Sequence, residues 1–266
     1  MIDSWRKEHY SFNDLVDIVK LLRSENGCPW DKVQTHESIR RNFIEEVYEA
    51  VEAIDDKNPG LLCEELGDVL LQVVFHARME EDCGGFKIDD VTDGICRKLI
   101  LRHPHVFGDI SVRDSDEVLA NWDEIKKHEK GLNSHSDALR SVAKSLPALI
   151  RAEKVQHKAA KAGFDWPDIG GAFDKLSEEI SELKEAVNSG GNVQDELGDL
   201  IFSAVNIARF LKVDPEGALT GASEKFIRRF GLMEEQAETS GKKLEELSLA
   251  EMDKLWDSAK RIEAGG

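Results

Sequence analysis

The stretch EELGDVLLQVVFHAR, residues 64–78, returns further along the chain as DELGDLIFSAVNIAR, residues 195–209. Both copies are apolar almost all round, with no two-residue alternation, so each reads as a helix enclosed in a bundle. One stripe of the first copy is nevertheless polar: Glu65, Asp68, Gln72 and His76 follow an i, i+3, i+7, i+11 pattern. The second copy gives Glu196, Asp199, Ser203 and then Ile207, a shorter stripe. Carboxylates on a core helix are costly unless they are neutralised or hold a cation.

An acidic helix precedes each copy. In FIEEVYEAVEAI, residues 43–54, Phe43, Val47, Ala50 and Ile54 share one arc of a 3.6-residue helix, which predicts a core-facing side. Glu46 stands at the edge of that arc and Glu49 follows on the same flank, where like charges repel unless something positive lies between them. EEVYEAVEAI (45–54) matches EEISELKEAV (178–187), GCPWD (27–31) resembles GFDWPD (163–168), RKLILR (97–102) pairs loosely with EKFIRR (224–229), and NWDEIKK (121–127) with LWDSAKR (255–261). The blocks keep their order, so two copies of one helical domain, 1–130 and 138–266, flank a polar linker, 131–137.

Helices are expected at about 12–25, 36–56, 60–82, 88–101, 116–129, 138–161, 171–188, 193–211, 215–239 and 249–262. Asn58-Pro59 and Asp214-Pro215 read as a cap followed by proline in the first turn, and SLAE at 248–251 as a capping box. RHPHVFGDISVRD, 102–114, is expected to be a loop with room for a short hairpin. The fold class is all-α. The 266 residues carry a net charge of −18, which excludes a protein that coats nucleic acid and requires any anionic ligand to be met by metal or local cations. The N-terminal MIDSWRKEHY has no apolar h-region and no stretch is long enough to cross a bilayer, so the expectation is a cytoplasmic protein without a membrane partner. The four cysteines, Cys28, Cys63, Cys83 and Cys96, lack metal-type pairing and read as reduced thiols, some of them buried.

Packed face to face, the acidic helices would bring Glu46, Glu49, Glu65 and Asp68 around one cavity and Glu179, Glu182, Glu196 and Asp199 around another. Oxygen-only ligation favours Mg2+ or Mn2+ over zinc or copper. A di-iron site would need Glu-x-x-His, which neither copy has; His76 reads as a core or rim histidine. Three alternatives stay open: a hydrolase, a nucleotide sensor that binds without cleaving, and a helical scaffold with charged faces.

The doubled Glu-Glu-x-x-Glu and Glu-Leu-Gly-Asp blocks, with GCPWD and QTHESIRRNFIEE (34–46), resemble the tandem-domain MazG nucleoside triphosphate pyrophosphohydrolases of the all-α NTP pyrophosphatase superfamily. The resemblance implies two tandem short four-helix-bundle-like domains, a dimer, and Mg2+-dependent conversion of NTPs and dNTPs, with broad base tolerance, to monophosphate and pyrophosphate. It implies a main catalytic site in the second domain, with Glu179, Glu182, Glu196 and Asp199 as metal ligands and Lys175, Lys225, Arg229, Trp256 and Lys260 on the nucleotide. Glu178, turned about 100° from Glu179 on a helix, is the candidate for orienting or deprotonating the attacking water. A lysine carried by some members is Asn192 here, and Asn42 stands in the first domain where the second has Lys175.

Overall fold

In a computed structural model of the chain, which describes residues 6–129 and 134–265, helices account for all regular structure and no strand occurs among the described residues. The first helix, α1 (Phe12–Leu22), opens at a capping box in which the Ser11 backbone N–H donates to Asp14 at 2.8 Å and the Asp14 N–H donates to Ser11 Oγ at 3.3 Å. A short 3-10 turn (Asp31–Val33) leads to α2 (Arg40–Asp55). Ahead of that turn Gly27 is required by packing, because a Cβ there would lie 2.2 Å from the Leu21 and Leu22 carbonyl oxygens. Asn58 then caps α3 (Pro59–Asp82) by accepting from the Leu61 N–H, with Pro59 where a missing donor costs nothing. Next come α4 (Ile88–Arg102), the single turn α5 (Pro104–Phe107) and α6 (Ser115–Glu129).

The second half runs α7 (His135–Arg140), α8 (Ala148–Lys161), α9 (Ile169–Ser189), α10 (Val193–Leu211), α11 (Pro215–Thr239), a 3-10 turn (Leu244–Glu246) and α12 (Leu249–Gly265). Gly190, at φ 73°, ends α9 in the left-handed conformation that glycine adopts without penalty. The hairpin turn that follows is closed by Asn192, whose side chain caps α10 by accepting from the Asp195 N–H. The chain divides into two compact units, Met1–Lys126 and Lys127–Gly266. Unit 1 pairs α2 with α3 and lays α1 on α3; unit 2 pairs α9 with α10 and α11 with α12, with α8 against α10.

The core of unit 1 joins Val19 of α1 and Ile39 to Val74, Phe75 and Met79 of α3. Arg23 fastens its edge: the guanidinium lies over the Phe75 ring, donates to the Asp31 carbonyl at 2.6 Å and pairs with Asp82 at 3.0 Å.

Several expectations are corrected. The helix expected at 138–161 is two: α7 ends at Arg140, and α8 begins at Ala148 behind Pro147, which has no N–H and steers Leu146 away from helical backbone. No hairpin forms in 102–114; His103 and Pro104 start a helical turn instead. The helix expected from residue 36 begins at Arg40, since Thr35 and Ser38 exchange backbone-to-hydroxyl hydrogen bonds that hold a turn. The apolar arc of α2 is only partly a core face: Ala50 is buried and Phe43 half-buried, while Val47 is 42% and Ile54 56% exposed. The same holds for α3, where Leu66 and Leu70 are exposed, and for α10, where Leu197, Ile201 and Phe202 are. These stripes are wider than the neighbouring helices of one chain cover. The cysteines are free, but Cys63, Cys83 and Cys96 are exposed and Cys28 is half-buried. Of the expected linker, 131–137, residues 131–133 lie outside the described residues, and from His135 the chain is already helical, in α7.

Candidate metal and nucleotide site

In unit 2 the hairpin of α9 and α10 brings carboxylate oxygens of Glu179, Glu196 and Asp199 within 4.8 Å of one another. Asp195 and Glu196 fall in the first turn of α10, where the exposed N–H groups and the helix dipole favour negative charge. Glu179 is the buried member, 4% exposed. Its Oε1 accepts from Lys175 at 2.8 Å, and its Oε2 is buried with no hydrogen-bond partner among the described residues. A buried, unpartnered carboxylate oxygen is strongly disfavoured, and a cation among the three acids would satisfy it. The oxygen-only donor set fits a hard divalent ion. Glu182 lies outside the group of three, but burial, with Glu179, Glu178 and Glu196 nearby, outweighs Lys175 and holds its carboxyl above the ordinary range.

Unit 1 gathers Glu46 and Glu49 of α2 with Glu65 of α3, again within 4.8 Å. Burial pushes the Glu46 carboxyl up, reinforced by Asp68, Glu49 and Glu65; Glu65 is raised by burial and by Glu49, Glu64 and Asp68. Asp68 is thus close enough to act through its charge but does not join the cluster of oxygens. Asn42 supplies no cation here, and neighbouring Arg41 pairs instead with Glu45 at 2.7 Å on an exposed flank.

The residues that resemblance assigns to the nucleotide divide into two groups. Lys175, on α9, donates to both Glu178 and Glu179 at 2.8 Å, and these hydrogen bonds raise its pKa. Glu178 therefore faces a lysine rather than the acidic group. Lys225 and Arg229 lie on α11, Trp256 and Lys260 on the packed α12. Arg229 pairs with Glu263 at 2.6 Å, joined by Arg228 at 3.1 Å, and the two guanidinium groups hold Glu263 below the ordinary carboxylate range. Lys260 pairs with Asp257 at 3.1 Å, and the half-buried Trp256 ring meets Phe226 at 5.0 Å. Lys225 is exposed.

Sequence reasoning missed Glu263 and Phe226. Glu263 meets its arginines across two helices, a relation that no spacing rule reveals; Phe226 and Trp256 occupy matched repeat blocks, which offered the one available signal. His76 is half-buried, but it is not the satisfied core or rim histidine its reading anticipated, since its Nε2 is buried with no hydrogen-bond partner among the described residues. Its ring stacks on His36 at 5.0 Å with Nδ1 to Nδ1 at 2.7 Å, and His36 Nε2 meets Glu80 at 3.0 Å. Burial and His36 hold the His76 pKa below its ordinary value.

The MazG nucleotide pyrophosphohydrolase domain matches residues 34–107 and again 172–231, each match containing one acidic hairpin. The chain is 48% identical over 249 residues to the nucleoside triphosphate pyrophosphohydrolase/pyrophosphatase MazG of Thermotoga maritima, covering 94% of this chain and 95% of that protein. It is 43% identical to the nucleoside triphosphate pyrophosphohydrolase of Escherichia coli K12 over 254 residues, 94% of this chain and 97% of that one. The uncharacterized protein YabN of Bacillus subtilis is 50% identical over 258 residues, which are 96% of this chain and 53% of YabN.

Proposed function

Because the chain belongs to the MazG nucleotide pyrophosphohydrolase family, we propose that it is a nucleoside triphosphate pyrophosphohydrolase that converts NTPs and dNTPs to monophosphate and pyrophosphate with Mg2+, or Mn2+ in its place. The observation that carries this reading is the buried, unpartnered Oε2 of Glu179 inside an all-carboxylate group. When bound, Mg2+ neutralises phosphate charge and lowers the pKa of a water for attack.

Glu179, Glu196 and Asp199 hold the ion, with Glu182 alongside. Lys175, Lys225, Arg229 and Lys260 pair with phosphate oxygens, which a protein of net charge −18 must neutralise locally. Trp256 offers the base a ring face rather than a hydrogen-bonding edge, a mode that supports broad base tolerance. As the water oxygen adds to the α-phosphorus and the bond to the bridging oxygen breaks, Glu178 takes the proton and pyrophosphate leaves. The second domain, 138–266, is the main catalytic one; Lys175 and the deeper burial of its acidic group support this over the first, 1–130, where Glu46, Glu49 and Glu65, with Asp68 alongside, form a second ion site beside Asn42.

We assign the protein to the cytoplasm as a homodimer. None of the described helices is long and apolar enough to cross a membrane. The uncovered apolar stripes of α2, α3 and α10 are surfaces that a second copy would bury.

The test incubates the protein with Mg2+ and each NTP and separates pyrophosphate from orthophosphate. Pyrophosphate with monophosphate is expected, lost in Glu179→Gln and retained in Glu46→Gln. Orthophosphate release overturns the reaction assigned; nucleotide binding without turnover makes the protein a sensor.

A further inference from the structure

The acidic group of unit 2 contains a cation of its own, the Lys175 ammonium. Lys175 Nζ sits 2.8 Å from Glu178 Oε1 and 2.8 Å from Glu179 Oε1, and the Glu179 carboxylate is only 5% exposed. The ammonium is thus committed to one of the oxygens that a divalent ion would use, and it leaves the other, Oε2, without a partner. A lysine neutralises this site incompletely. In unit 1 Asn42 stands at the matching position, and Arg41 beside it is engaged by Glu45.

We propose that Lys175 is a displaceable counter-ion that couples metal binding to phosphate binding in unit 2. With a divalent ion held by Glu179, the Lys175 ammonium would leave that carboxylate and swing on its flexible stem to the phosphates of the substrate. One movement has two results. The released ammonium gains an anionic partner only when a triphosphate is present, so ion and nucleotide bind cooperatively rather than independently. Glu178 simultaneously loses its lysine and becomes free to receive the proton of the attacking water, as the proposed reaction requires. Metal alone must therefore bind more weakly to unit 2 than its carboxylates would otherwise allow, and the restraint is Lys175. This inference rests on Glu179 being a ligand of the proposed ion.

The experiment titrates Mn2+ alone, without nucleotide, into the full-length Glu46→Gln protein, in which the unit 1 site is disabled, and reads free Mn2+ by electron paramagnetic resonance. Replacing Lys175 by Met or by Gln should tighten Mn2+ binding about fivefold or more, the effect of removing one charged competitor from a largely buried carboxylate. Lys175→Arg, which keeps the charge, should stay near the parent value. Unchanged or weaker binding in both neutral variants, with helicity intact by circular dichroism, overturns the counter-ion. Absence of Mn2+ binding in the parent and in every Lys175 variant removes the ion site itself, and with it both this inference and the metal-dependent reading above.

Discussion

Glu179 and Glu46 occupy matching places in the two repeats but are neutralised differently. Glu179 has a lysine at 2.8 Å, whereas Glu46 is surrounded by Glu49, Glu65 and Asp68 and is pushed up by burial and by their charge. Replacing Glu46 with Gln removes a repelled charge and should raise the melting temperature of the metal-free protein by about 1–3 °C, while abolishing any further rise that Mg2+ produces through unit 1. Differential scanning fluorimetry with and without Mg2+ checks both halves. For Glu179→Gln the expectation is a fall in kcat of about a hundredfold or more, measured as pyrophosphate release. The acids of this site were readable in the sequence because helical spacing fixes which Cβ atoms share a flank. Spacing does not fix rotamers, so it could not tell that Asp68 and Glu182 would stay outside the clusters of oxygens. The pairing of Glu178 with Lys175 was legible as an i, i+3 relation and went unread; the Arg229–Glu263 pair was not legible at all.

Helix boundaries follow the same division between local and distant causes. The caps at Asn58, Asp214 and Ser248 stand where the sequence marks them, since a cap is decided by three or four neighbouring residues. Asp214 accepts from the Glu216 and Gly217 N–H groups at 3.1 Å each, so Asp214→Ala should cost about 1 kcal/mol in chemical denaturation. At the start of α12, hydrogen bonds from the Ser248 N–H and from Lys242 lower the Glu251 carboxyl from 4.5 to about 2. A carboxyl lowered on folding stabilises the protein above its unfolded pKa, and that contribution fades as pH falls from 4.5 toward 2. Glu251→Gln should therefore flatten the pH dependence of the melting temperature in that interval and leave it unaltered near pH 7. The break at Pro147 was misread because apolar periodicity continues straight across it. The outer faces of α2 and α3 were misread for a different reason: periodicity reports that a stripe is apolar, not how much of it one chain can cover.

At the scale of the whole molecule, the repeat predicted an all-α chain of two like halves, and the described residues form two compact units, each containing one acidic hairpin. The core of unit 1 is its own, with Val19, Val74, Phe75 and Met79 packed together. Phe75→Ala should remove about 3–5 kcal/mol from that unit. If the two domains unfold separately, calorimetry of this variant will show one transition moved to lower temperature and the other in place. The apolar stripes left open on α2, α3 and α10 have a consequence of another kind. The proposed dimer would cover them and so link folding to mass action, and its melting midpoint should then drop on dilution and recover as the protein is concentrated.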